Sequence, residues 1–101
     1  MIRGTTPTVT ITFPFAVNTI TKFAMYFNQG KDSLLTKTES DLTFDGYTVS
    51  AKLTQEETYL FSPKKRIEVS ARYKFDDGTV GAIKPRYLDV YDIDGNTDTV
   101  L

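Results

Sequence analysis

A chain of 101 residues, 40% hydrophobic, 13% aromatic and 25% charged, builds one folded domain with a modest core and has no room for a separate catalytic domain. Its net charge of -1 argues against a dedicated nucleic-acid binder or a polybasic membrane anchor. The absence of both Cys and His excludes disulfides, ordinary zinc sites, and the Ser-His-Asp and Cys-His nucleophile arrangements.

The N-terminal "MIRGTTPTVT" lacks the apolar core of a signal peptide, and no run approaches the roughly 18 apolar residues that a membrane span needs. The expectation is a protein made and folded in the cytoplasm, with no membrane partner. From Pro7, the apolar Val9, Ile11 and Phe13 alternate with Thr8, Thr10 and Thr12 up to Pro14, the pattern of a half-buried strand. Phe23, Met25 and Phe27 repeat the pattern, and "NQGKD" turns the chain into a weaker strand around Leu34 to Thr38. Asp45-Gly46 is the dipeptide of a type I′ turn between "LTF" and a strand whose Tyr47, Val49, Ala51 and Leu53 point one way.

In "LTQEETYLF", Leu53 to Phe61, the strand period breaks. Thr54 is a good N-cap, Glu57 stands three residues on as a capping box requires, and Pro63 ends the run. One helical turn at this point suits a crossover between two sheets, with Tyr59, Leu60 or Phe61 plugging the open end. The clearest strand follows, with Ile67, Val69, Ala71, Tyr73 and Phe75 facing in and Arg66, Glu68, Ser70, Arg72 and Lys74 facing out. "DDG", Asp76 to Gly78, returns it into a last strand, Thr79 to Tyr91, whose apolar phase breaks. A kink or bulge near Pro85 accounts for the break and places this strand on a sheet edge. About seven short strands with one helical turn indicate an all-β, antiparallel sandwich over residues 1–91, followed by an aperiodic tail, 92–101, loose or ordered by a partner.

Little in the chain points to catalysis. A glycosidase needs two carboxylates across a cleft, whereas Asp76-Asp77 fall in a turn and Glu56-Glu57 are neighbours on one helical turn. Asp92, Asp94, Asn96 and Asp98 alternate around Gly95 as in an oxygen-ligand calcium loop, but Gly95 is misplaced for an EF-hand and the bidentate Glu is missing. A solvated acidic turn is the better reading, and no cofactor is implied. Lys64, Lys65, Arg66, Arg72, Lys74, Lys84 and Arg86 form a basic stretch ahead of an acidic tail, an arrangement suited to solvated faces or to head-to-tail assembly. Tyr26, Tyr87 and Tyr91 are the aromatics that parity or edge position leaves either to cover the ends of the core or for contact with a protein or a sugar. With Arg86 and Leu88 they are the expected interface, in which an unprotected strand ending in Leu88 to Tyr91 adds to another sheet.

Three segments carry a likeness to a known family: Arg3 to Thr8 (R-G-T-T-P-T), Leu53 to Thr58 (L-T-Q-E-E-T) and the strand start at Lys65 to Val69. Together they resemble a family of small proteins encoded in tailed phages and prophages of Firmicutes, and the expected fold is similar to the immunoglobulin-like N-terminal domain of phage baseplate upper proteins. The resemblance implies a non-enzymatic virion component, in tail or baseplate, that partners other virion proteins or its own copies. It carries over no catalytic or binding residue. A carbohydrate-binding module is the chief rival, weakened by the absence of Trp, and a surface-adhesion domain is a further one.

Overall fold

A computed structural model of the chain describes residues 1–92 and 100–101. It is a sandwich of two antiparallel sheets. Strands β1 (Thr8–Thr12), β4 (Thr43–Asp45) and β5 (Thr48–Lys52) form one in the order β1-β5-β4. Strands β2 (Ile20–Gln29), β3 (Asp32–Thr38), β6 (Ile67–Phe75), β7 (Val80–Ala82) and β8 (Arg86–Leu88) form the other. The second runs β3-β2-β6, with β7 and β8 both paired to the far side of β6. Short 3₁₀ turns at Val17–Thr19 and Glu39–Asp41, neither foreseen from the sequence, complete the connections.

The alternations read from the sequence supply the core. Ile11 and Phe13, Phe23, Met25 and Phe27, Val49, Ala51 and Leu53, and Ile67, Val69 and Ala71 are all buried between the sheets. Away from the helix, Phe13 packs edge-on to Tyr73 at 5.4 Å and to Phe23 at 6.1 Å, Phe23 meets Phe44 at 5.7 Å, and Phe15 reaches Phe75 at 5.3 Å. Edge-on rings are the arrangement that aromatic quadrupoles favour.

The opposite end is closed by the predicted crossover. Helix α1 (Gln55–Thr58) links β5 of one sheet to β6 of the other. Its capping box is complete: Glu57 N–H donates to Thr54 Oγ1 at 3.1 Å and Thr54 N–H to Glu57 Oε1 at 2.8 Å. Phe61 is the plug, 1% exposed against Phe27, while Leu60 is 50% exposed. One turn cannot aim consecutive residues the same way.

Two sequence expectations are corrected at the turns. Asp45 pairs with Thr48, so the two-residue loop is Gly46-Tyr47 rather than Asp45-Gly46, with φ of 58° at Gly46. Glycine there meets the positive φ that either primed hairpin turn requires at its first loop position. Tyr47 therefore lies in the loop and is exposed instead of facing the core.

The last strand breaks as Pro85 foretold. Opposite β6, residue numbers of β7 pairs sum to one less than those of β8 pairs, as in Arg72 with Ala82 against Ile67 with Leu88. One extra residue is thus accommodated around Lys84-Pro85, a bulge on an edge strand. Parity flips across it, leaving Val80 exposed while Leu88 and Val90 turn inward. Counting β7 and β8 as one, the sandwich has seven strand positions. In immunoglobulin lettering β4-β5-β1 takes places D-E-B and β3-β2-β6 with β7-β8 takes C′-C-F-G. Among the described residues no strand fills place A beside β1.

Candidate protein-protein interface

The five residues expected at an interface are not one patch. Tyr26, on the outer face of β2, is half-buried between Thr36 of β3 and Ser70 of β6, and Arg72 Nη2 donates to its hydroxyl at 3.4 Å. Tyr87 shares that face but lies beyond β6, opposite Glu68. Leu88 is corrected to a core-side residue, half-buried against the hydrophobic cluster because the bulge turned it inward. Arg86 pairs with the buried Val69 and so points the same way as Leu88, toward the gap between the sheets.

The strand end Asp89 to Tyr91 is also not unprotected as expected. The N-terminal segment runs parallel beside it, with Ile2 bridged to Tyr91. Arg3 N–H donates to the Tyr91 carbonyl at 2.9 Å, Tyr91 N–H to the Met1 carbonyl at 2.8 Å, and the Met1 amino group to the Asp89 carbonyl at 2.7 Å. Pairing between opposite ends of a chain is invisible to any local pattern.

What remains exposed is a compact cluster at this edge. Tyr87 is 51% and Tyr91 59% exposed, the Arg66 guanidinium covers the Tyr87 ring at 4.7 Å, and Arg66 Nε approaches Asp89 Oδ1 at 3.6 Å. Pro63, Lys64, Lys65 and Arg66 line a shallow depression with Asp89 and Tyr91. A tyrosine braced by a guanidinium presents a rigid apolar ring with a polar rim, as interface anchors do. Arg66, named from the sequence only within the basic stretch, and the exposed Ile2 were not among the five expected interface residues. Arg66 had a signal in its outward parity on β6, Ile2 none.

The two most specific motifs of the family resemblance meet here. Arg3, buried, donates to Asp92 Oδ1 at 3.0 Å and to the Tyr59 carbonyl at 3.2 Å, its guanidinium over the Tyr59 ring at 5.3 Å. Gly4 N–H donates to Thr58 Oγ1 and Leu53 N–H to the Pro7 carbonyl, at 2.8 and 2.9 Å. The R-G-T-T-P-T and L-T-Q-E-E-T segments therefore form one structural unit tying the N-terminus to the crossover helix.

Of the acidic residues weighed for catalysis, Asp77 and Glu57 are engaged in structural contacts. Asp77 accepts from Thr79 N–H at 2.8 Å, which lowers its pKa. Glu39 accepts from Phe23 N–H at 3.1 Å, and it too is held below the usual carboxylate range, by backbone N–H groups first and Lys22 second. Among the described residues no three of His, Cys, Asp and Glu gather to hold a metal ion. Of the calcium-loop candidates, Asp92 is engaged by Arg3, and Asp94, Asn96 and Asp98 lie outside the described residues. At the C-terminus, Leu101 N–H donates to Gln55 Oε1 at 2.7 Å. No protein-family model, curated protein or solved structure matches this chain.

Proposed function

We propose that this chain is a non-enzymatic structural component of a tailed-phage virion, in the tail or baseplate, working through protein-protein contacts. The observation that carries the reading is the exposed Tyr87-Arg66-Tyr91 cluster, set on the edge where the two ends of the domain are paired. The likeness of Arg3 to Thr8 and Leu53 to Thr58 to small phage proteins supplies the virion context. Light scattering behind size exclusion over a concentration series, with and without candidate virion proteins, tests it. Masses above the monomer that Tyr87→Ala and Tyr91→Ala reduce would support assembly. A monomer that binds no virion protein would overturn it.

One feature favours a carbohydrate-binding module instead. Tyr26 lies in a shallow concavity of about 350 Å³ with Lys22, Ala24, Glu39, Arg72 and Lys74, an aromatic beside charged hydrogen-bonding groups on a rigid sheet. Saturable binding of an oligosaccharide that Tyr26→Ala abolishes would favour this second reading.

A further inference from the structure

The geometry points to a strand-docking slot between the free edge of β1 and the β7-β8 edge, shaped to take one extended, acidic segment of a protein partner. The slot belongs to neither the tyrosine cluster nor the virion reading and stands without them.

The free edge follows from hydrogen-bond parity. Leu53 N–H donates to the Pro7 carbonyl and Phe13 N–H to the Tyr47 carbonyl, so odd-numbered residues of β1 exchange bonds with β5. In an antiparallel pair the alternate residues must then direct N–H and C=O away. Thr8, Thr10 and Thr12 do so on the outermost strand of their sheet. The segment carries no charge, no internal proline and no bulge, and among the described residues no strand pairs with its outer side.

Other edges are guarded. β4 has three residues. β3 points Lys37 inward, opposite the buried Met25. The β7-β8 edge is bulged at Pro85 and its extension is covered by Met1 to Arg3.

The shape of the slot selects a single strand. β1 lies across from β6, as the Phe13-Tyr73 contact shows, so β7-β8, one place farther out, overhangs its free edge. Beneath lies a groove of about 470 Å³ bounded by Thr12, Phe13, Phe15, Ile83, Lys84 and Arg86, at the vacant place A. A second sandwich pairing through its own β1 would bring its β6 into the space that β7-β8 already fills. One separate extended segment meets no such obstacle.

Charge identifies its chemistry. Ile83, bonded to the Ala71 carbonyl, faces the groove, and Arg86 faces it from beside Val69. Lys84 adds a second cation, and among the described residues no acid lines the groove. The fitting segment hydrogen-bonds along Thr8 to Thr12, sets an apolar side chain over Ile83 and presents a carboxylate to Arg86 and Lys84.

The test uses the whole chain and a fluorescein-labelled, capped peptide with threonine at alternate positions and valine or glutamate between them. Binding is read by anisotropy and the site by amide exchange. Thr10→Pro is the discriminating variant: it removes an N–H that points away from β5, so the ladder survives, which a thermal melt checks. Saturable binding is expected, with the Thr8, Thr10 and Thr12 amides gaining protection. Thr10→Pro should weaken it by at least about tenfold, as should Arg86→Glu, while a lysine-for-glutamate peptide binds about tenfold worse. If Thr10→Pro melts early, the amide map and Arg86→Glu decide. No saturation at millimolar peptide, protection confined to β3, or indifference to both variants would overturn the proposal.

Discussion

Lys37 Nζ lies 2.7 Å from Glu57 Oε2, joining edge strand β3 to the crossover helix α1 across the mouth of the core. Lys37 shares the inward side of its sheet with Met25, and only 13% of its side chain is exposed. An inward cation on an edge strand discourages pairing with another sheet, provided something nearby neutralises it. Glu57 does this while also closing the capping box.

Burial pushes the Glu57 carboxyl up, but the hydrogen bond from Lys37 and the Thr54 N–H outweigh it, so its pKa lies below the ordinary 4.5. A carboxylate with a lowered folded pKa contributes stability above its unfolded value and loses it as pH falls through the folded one. Glu57→Gln keeps a cap acceptor but loses the ion pair. It should be less stable by about 1 kcal/mol at pH 7, and the two proteins should converge as pH falls from there through the lowered pKa of Glu57. Urea midpoints at pH 7 and along an acid titration measure this.

Phe61→Ala should cost about 3 to 5 kcal/mol, the scale for emptying a buried aromatic site, because Phe61 closes the core against Phe27. Leu60→Ala, one residue away and half exposed, should stay within about 0.5 kcal/mol. Denaturant unfolding of both variants checks which residue is the plug.

Gly4 has φ of 81°, and a Cβ there would stand 2.5 Å from Tyr59 Oη; Gly46 has φ of 58° with open space around it. Both alanine variants carry the left-handed backbone penalty of about 1 kcal/mol, and Gly4→Ala adds the displacement of Tyr59, for about 2 kcal/mol or more in total. Thermal melts should rank Gly4→Ala well below Gly46→Ala.

Tyr87→Ala combined with Tyr91→Ala should leave monomer stability within about 0.5 kcal/mol, because both rings are more than half exposed. Any assembly through this edge should fall markedly, since exposed aromatics of this kind dominate interface energies. Parallel melting and light-scattering measurements separate the two effects.

The sequence by itself determined whatever depends on neighbours along the chain. Alternation placed Ile67, Val69 and Ala71 inside, the Thr54-Glu57 spacing made a capped helical turn, and Pro85 forced a bulge on an edge strand. Each follows from periodicity, a side chain reaching three residues, or a missing N–H. Tyr47 escaped this logic because the turn shifted by one residue, which strand pairing decides. Only the tertiary structure could show Met1 to Arg3 lying beside Asp89 to Tyr91, Arg3 holding Tyr59 and Asp92, Lys37 reaching Glu57, or Arg86 facing a groove beside β1. Those contacts join residues far apart in the chain, and the physics that selects them is sheet pairing and burial, which acts on neighbours in space.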